Sequence, residues 1–486
     1  MSLSDPAYIG FFAAVFVLFY LLPSGTARLL LLLAASLAFY FKLSGAYVSV
    51  LLFVAAVAYI GGLLLQRPAA NSDRRTVFIA VLVTVFIPLL IFKYLGFIYD
   101  SFGAGLPDWL SGLALPVGLS FFTFAAAGYL VDVNLDLLAA ERNPVRLGLF
   151  VAFFPLVTAG PIERGGRLLR QFGLDARFTA DRAFGGLRLI FIGIVLKMLF
   201  ADTLAVPVAT VFGAPESSAP LDKFIAVIFF AFDLYADFAG YSLIAIGCAN
   251  MLGIEVQPNF RQPFLSPTIP EFWRTWHMSL SFWVRDYLFL PLRAHWRRAG
   301  QKGMIAATIL SFLILGLWHG AGWQFVILGL AFGTLAVGSI LTLRYRDAAY
   351  AALRVPPWLV RIIRAVITFI LVALVLVLFR VNFLGDAWLF YRDIFSFDLL
   401  DNLWSTVKFT LFHRGTPADL PTITGYWADW LLIAAIVAGD ILVRNGVTLA
   451  KCPAPLQVIT YNVGAILIVY QWVSDSVPPP FLYYKF

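Results

Sequence analysis

Of 486 residues, 61% are hydrophobic and only 13% charged, and the mean hydropathy is +0.87. That excludes a water-soluble fold and makes the bilayer the solvent. The net charge of +8 is carried by short basic loops between apolar runs, so it reports membrane topology rather than nucleic-acid binding.

In chain order, the first apolar run covers 7–24. It follows Asp5, with no basic residue ahead of it and no convincing cleavage site behind it, which predicts a retained helix and not a signal peptide. Further runs cover 26–45, 46–66, 76–98, 113–131, 189–212 and 223–252. A polar interval, 253–302, separates these from runs at 303–318, 321–343, 358–383, 429–445 and 455–474. The expectation is an all-α polytopic membrane protein with about 11–13 membrane segments, organised as one membrane domain over 1–486. Basic clusters within 67–75, 164–182, 293–302 and 344–361 assign four loops to the cytoplasm. Connections around Asp100 and Asp108, around Glu216 and Asp222, and over 398–429 are poor in basic residues and are assigned outward, with the N-terminus.

Two stretches disturb this count. The run from Val145 to Ile162 is too short and proline-broken to span, and basic loops flank it on one side, so it is expected to dip in and return. The pair 303–318 and 321–343 raises the same issue, because Trp318-His319-Gly320-Ala321-Gly322 interrupts an apolar block. Irregular backbone at depth requires protein or water around it, which places His319 on an internal cavity.

Within 253–302, Thr268-Ile269-Pro270-Glu271 has the spacing of a helix start. It leads into one predicted helix whose Trp273, Trp276, Leu280, Trp283 and Tyr287 form a stripe, with Arg274 and Arg285 off it. An aromatic stripe beside arginines predicts a helix lying in the plane of the cytoplasmic interface. The alternative for the tryptophans is an ordinary aromatic belt. His277 on this helix can orient a second group, hold a polar substrate, or simply hydrogen-bond at the interface.

An ionisable side chain inside an apolar block is costly and points to function, which singles out His319. Gly316, Gly320 and Gly322 around it leave room for close backbone or ligand approach. Asp233 and Asp237, four residues apart, share a helix face. They can bind an ion, pair with Arg274 or Arg285, or hold a substrate hydroxyl. His295 and His413 read as surface residues. Cys248 and Cys452 fall on different elements and support neither a disulfide nor a metal site. With no glycine-rich phosphate loop, zinc motif or nucleophile elbow, the chemistry must rest on histidine and acid.

Several strings, in this order, resemble the membrane-bound O-acyltransferase family, in particular its bacterial branch of alginate O-acetylation membrane subunits. They are Pro116-Val117-Gly118-Leu119-Ser120-Phe121-Phe122-Thr123-Phe124, Thr158-Ala159-Gly160-Pro161-Ile162, Asp237-Phe238-Ala239-Gly240-Tyr241-Ser242, Pro258-Asn259-Phe260, the Glu271 to Pro291 stretch and Gly316-Leu317-Trp318-His319-Gly320. Leu378-Phe379-Arg380 and the terminal Phe481-Leu482-Tyr483-Tyr484-Lys485-Phe486 look more like the alginate-type branch than the D-alanyl-transfer branch. Arg274-Thr275, where the family often has two arginines, and Arg293-Ala294-His295-Trp296-Arg297-Arg298, where it has a glycine-rich stretch, are departures on the donor side.

The resemblance implies that His319 matches the family's catalytic histidine and His277 the second histidine of the alginate-type branch, around a funnel that meets at His319. It implies acyl transfer from a cytoplasmic thioester, acetyl-CoA, to a polysaccharide hydroxyl. No tightly bound cofactor or metal is expected. Asp237, Tyr241, Ser242, Trp273, Arg274, Trp276, Arg285, Asp286 and Trp318 are further substrate-contact candidates. The expected partners are membrane lipids, the acyl donor, a periplasmic acetyltransferase and the polymer acceptor, at a bacterial inner membrane. Two alternatives stand beside this: D-alanyl transfer from a carrier protein in teichoic-acid modification, and a transporter or acyl conduit without covalent chemistry.

Overall fold

The computed structural model describes residues 3–23, 25–66, 71–107, 110, 112–172, 177–401, 403–405, 427–474 and 481–482. Their regular structure is helical, with no strands. Arg67, Asp108, His413 and the terminal Tyr483-Tyr484-Lys485-Phe486 lie outside the described residues.

The N-terminal part comprises α1 (Pro6–Leu21), α2 (Thr26–Ser44), α3 (Val48–Leu65), α4 (Asn71–Leu89), α5 (Leu95–Ser101), α6 (Leu119–Asn134), α7 (Pro144–Ala152) and α8 (Gly165–Gln171). The middle holds α9 (Ala180–Val195), α10 (Asp202–Gly213), α11 (Pro220–Met251), α12 (Ile269–Thr275), α13 (Met278–Val284) and α14 (Leu290–His295). There follow α15 (Gly300–His319), α16 (Trp323–Ala352), α17 (Pro357–Arg380), α18 (Leu384–Ile394), α19 (Trp427–Arg444) and α20 (Ala454–Ser474). Turns of π-helix at Leu90–Tyr94, Leu196–Ala201 and Arg285–Phe289 join α4 to α5, α9 to α10 and α13 to α14.

Among the described residues, eight helical stretches are long and apolar enough to cross a membrane, and α1 and α6 are shorter apolar helices. The protein is therefore a multi-pass membrane protein. The 40-residue stretch Thr26–Leu65 counts once, yet Gly45 at φ +56° breaks it, and α2 and α3 both pack on α7, so it supplies two elements as the two apolar runs predict. The segment after Val145 forms only the nine-residue α7, followed by buried turns through Ile162, which agrees with a piece too short to span.

Three expectations need correction. The pair 303–318 and 321–343 is not re-entrant: α15 and α16 are full-length spans joined by a tight turn. The predicted single helix from Glu271 to Tyr287 is broken at His277, and Trp273, Trp276, Leu280 and Trp283 of its stripe are buried in the protein instead of lying on an interface, with Tyr287 half-buried. The stripe marked an inward face correctly, but the face it meets is protein. The run 429–445 forms α19 but is not one of the eight spans, because Asp429, Asp440 and Arg444 dilute its apolar character.

The core is organised on α11, which is apolar around its whole circumference and buried along most of its length, as such a helix must be. It packs against α9, α10, α17 and α18. Lipid offers apolar side chains no reason to prefer one another, so membrane helices associate through close backbone contact at small residues. On α9 and α11 two glycine pairs do this at heptad spacing. A Cβ on Gly193 would stand 2.6 Å from the Gly240 carbonyl oxygen, and one on Gly186 2.6 Å from that of Gly247.

Beside the Gly193–Gly240 crossing, Lys197 in the π turn reaches Asp237 at 2.7 Å and Asp202 at 2.8 Å, all three side chains at most 5% exposed. Asp237 therefore pairs with Lys197, and neither Arg274 nor Arg285 fills that role. Breaking such a buried set leaves an uncompensated charge, so the pairing ties α9, α10 and α11 together. Gly240→Ala is expected to lower stability by about 1–3 kcal/mol through the backbone clash. The thermal unfolding midpoint of the purified protein checks this, with Gly439→Ala, where a Cβ meets nothing within 4 Å, as the neutral control.

Candidate active site

His319 is the last residue of α15, and the last four carbonyls of any α-helix have no partner within it. Here the partners come from the π turn that follows Pro88 in the first half of the chain. Tyr94 donates its hydroxyl hydrogen to the Leu317 carbonyl at 2.9 Å, and Lys93 Nζ donates to the Trp318 carbonyl and, at 3.3 Å, to Ser120 Oγ. A cation at a helix C-terminus also suits the negative end of the helix dipole. Two side chains over 220 residues away in sequence thus fix the carbonyls immediately before His319. Gly316 serves the same end, since a Cβ there would lie 2.3 Å from the Phe325 carbonyl oxygen; the space it leaves is taken by α16, not by a ligand.

His277 reaches the site differently. It adopts left-handed backbone, φ +41° and ψ +55°, which ends α12 and turns the chain so that the ring is fully buried. That conformation is strained for a residue with a Cβ, and such strain collects at functional sites. The ring is held at Nδ1 by Asn259 Oδ1 at 3.1 Å. Ser279 N–H and Ser279 Oγ also donate to Oδ1, at 3.3 and 2.8 Å, and Asn259 Nδ2 donates to Ser242 Oγ at 3.0 Å. Because the Ser279 N–H is an obligatory donor, the atom facing it is the amide oxygen, so His277 Nδ1 carries the hydrogen and Nε2 is the ring's acceptor. Burial, and next the neighbouring His319, pushes the His277 pKa well below the ordinary imidazole value, which keeps the ring neutral.

Trp318 stands between the two histidines, its ring centroid 5.8 Å from that of His277 and 4.9 Å from that of His319. Phe121 and Phe124 pack on the same indole at 5.5 and 5.7 Å. Phe124 also stacks on Trp283 at 4.1 Å and accepts its indole N–H at 2.9 Å. The scattered strings thus converge: Ser120 to Phe124 and Gly316 to His319 meet at Trp318, while Pro258-Asn259-Phe260 fixes His277.

His319 borders two spaces. On one side is a cavity of about 350 Å³ whose polar lining consists of Lys93, Gln324, Arg380 and Asn382 beside the imidazole. On the other is a narrow crevice walled by Trp273, Trp276, Phe332 and Phe379, with room for little more than a water molecule. An imidazole on the wall of the larger cavity can take a proton from a group held there.

The remaining candidates lie elsewhere. Asp237 is spent on Lys197 and on the Leu482 N–H. Tyr241 hydrogen-bonds Thr158, and Ser242 acts through Asn259. Arg274 is exposed. Arg285 is exposed and pairs with Asp286, which also takes Arg164 at 3.0 Å. None of these lines the His319 cavity. Lys93 and Tyr94 do not stand out in the sequence reading, and Asn259 enters it only within the string Pro258-Asn259-Phe260, with no role assigned. A lysine inside the apolar run 76–98 is a legible signal for the first; the roles of the other two rest on three-dimensional contacts.

The profile of the membrane-bound O-acyltransferase family matches residues 142–381. The chain is 35% identical over 409 residues to the probable alginate O-acetylase AlgI of Azotobacter vinelandii, covering 82% of this chain and 78% of that one. It is 30% identical to the peptidoglycan O-acetyltransferase of Helicobacter pylori, over 74% of this chain and 70% of that one. To the teichoic acid D-alanyltransferase of Bacillus subtilis it is also 30% identical, over 61% and 75% respectively.

Two substitutions probe the geometry. Lys93→Met leaves the Trp318 carbonyl short of its donor, with an expected loss of about 1–3 kcal/mol in stability and a lower turnover. Asn259→Ala releases His277 and is expected to cost a similar amount. Thermal unfolding and acyl-transfer rate, measured on the same preparations, check both.

Proposed function

Since this chain belongs to the membrane-bound O-acyltransferase family, we propose that it takes an acetyl or similar short acyl group from a cytoplasmic thioester, acetyl-CoA, and moves it across a bacterial inner membrane for O-acetylation of an envelope or exported polysaccharide. What carries this reading is the place of His319 on the wall of a cavity with a polar lining, at the end of a membrane-spanning helix. In this scheme a ring nitrogen of His319 removes the proton of the acceptor hydroxyl. The oxygen attacks the thioester carbonyl, the tetrahedral intermediate collapses with rupture of the C–S bond, and the imidazolium returns the proton to the departing thiolate. Lys93 lies on the wall of the same cavity and fixes the Trp318 carbonyl directly before the reacting imidazole. His277 and Trp318 position the reacting imidazole.

The basic loops orient the donor side to the cytoplasm and the N-terminus outward. An extracytoplasmic acetyltransferase as the receiving partner fits delivery to a polymer outside. The D-alanyltransferase likeness supports a second donor, a carrier-bound D-alanyl thioester, for the same site.

Purified protein in proteoliposomes, given labelled acetyl-CoA, tests the proposal. His319→Ala is expected to lower acyl transfer by about 10²–10⁴-fold with unfolding temperature retained. Undiminished transfer by a well-folded variant removes His319 as the base. Transfer from a carrier-bound D-alanyl thioester but not from acetyl-CoA assigns the other donor.

A further inference from the structure

Among the described residues, a cavity larger than the one at His319 lies elsewhere in the fold. It measures about 1010 Å³ and lies among α1, α2, α7, α8, the start of α9 and the turn after α11. Among the described residues, Arg28, Arg146, Arg167, Arg170, Arg177 and Arg182 line it, together with the carboxylate of Glu255. Arg167, Arg170, Arg177 and Arg182 belong to the basic run 164–182 visible in the sequence, and the fold adds Arg28 and Arg146 to them. Two of the arginines have acidic neighbours, Arg182 with the exposed Glu255 at 3.7 Å and Arg167 with the buried Glu163 at 4.0 Å. The exposed contact neutralises little. Six guanidinium groups around one space make it strongly positive, which suits an anion, and their planar forks match phosphate oxygens.

The surroundings say which kind of anion. The cavity has an apolar side formed by Phe19, Leu29 and Leu32. Next to its lining residues in the chain, large apolar side chains face outward: Leu21 is 75% exposed, Leu30 49%, Phe178 56% and Phe184 67%. In a multi-pass membrane protein exposed apolar side chains of this size are suited to lipid chains. A soluble phosphate compound gains nothing from them, whereas an amphiphile places its phosphate among the arginines and its chains along α1 and α2.

We propose that this cavity is a binding site for the headgroup of an anionic phospholipid. The site is separate from His319 and does not rest on the acyl-transfer reading. Its chemistry, phosphate held by arginine, is shared with inorganic phosphate and with the phosphates of a nucleotide-bearing thioester, so the test includes those ligands.

Full-length protein, purified and delipidated in a nonionic detergent, is titrated with phosphatidylglycerol, cardiolipin or phosphatidylcholine in mixed micelles, and in parallel with inorganic phosphate and acetyl-CoA. Native mass spectrometry counts bound ligand, and the unfolding midpoint reports stabilisation. The expected result is retention and stabilisation by the two anionic lipids and not by phosphatidylcholine. Affinity should fall at least about tenfold in R167Q/R170Q/R177Q, three exposed positions, and stay within a few-fold of the original in R167K/R170K/R177K. Equal lipid retention by the glutamine and parent proteins overturns the proposal. So does an arginine-dependent shift produced by phosphate or acetyl-CoA without one from anionic lipid.

Discussion

The carbonyl groups at the end of α15 cannot be satisfied inside that helix, and in lipid no water is at hand to take their place. Lys93 and Tyr94 take that role from a π-helical turn in another part of the chain. The position of His319 depends on this arrangement, because the carbonyls they hold belong to the two residues directly before it. π turns occur preferentially at functional positions since the extra residue changes which face a side chain occupies. In this protein both Lys93 and Lys197 sit in such turns, and both are turned into the interior.

Once α15 is fixed, the rest of the site is built by packing against Trp318. Its indole separates the two imidazoles and is itself held by Phe121 and Phe124. His277 arrives there only because the chain takes a left-handed residue between α12 and α13, a cost compensated by the hydrogen bonds that Asn259 makes to the ring and to Ser279. The two histidines are thus anchored by independent means, one through a helix terminus and one through a strained turn. Both anchors avoid mobile surface loops, as a site that must keep its geometry in lipid requires.

The scaffold around this centre follows a different economy. Glycine pairs let α9 and α11 approach to backbone contact, and the buried Lys197–Asp237–Asp202 set locks the same crossing. Asp237 stood out in the sequence as a costly acid in an apolar run, and it is costly; its partner is a lysine forty residues earlier, and its role is to hold helices. An ionisable group in a membrane segment marks something that must be paired, and whether the partner is a substrate or another helix is a matter of three-dimensional arrangement.

Composition and hydropathy alone determined that the chain lives in a membrane, where most of its helices run, and that His319 is the exceptional residue, because each of these follows from the local cost of placing polar groups in lipid. The strings around Ser120, Asn259 and Gly316 were legible as a family likeness before any of their contacts were. The tertiary structure decided the rest. The break at His277 was invisible in a periodicity that continues through it, since a single left-handed residue leaves the aromatic spacing intact. The capping of α15 joins residues over 220 positions apart, and the arginine-lined cavity brings Arg28 and Arg146 to the basic run 164–182, so no short window on the chain contains both partners. The hold of Asn259 on His277 spans only 18 residues, but the turn that creates it leaves no mark in the periodicity.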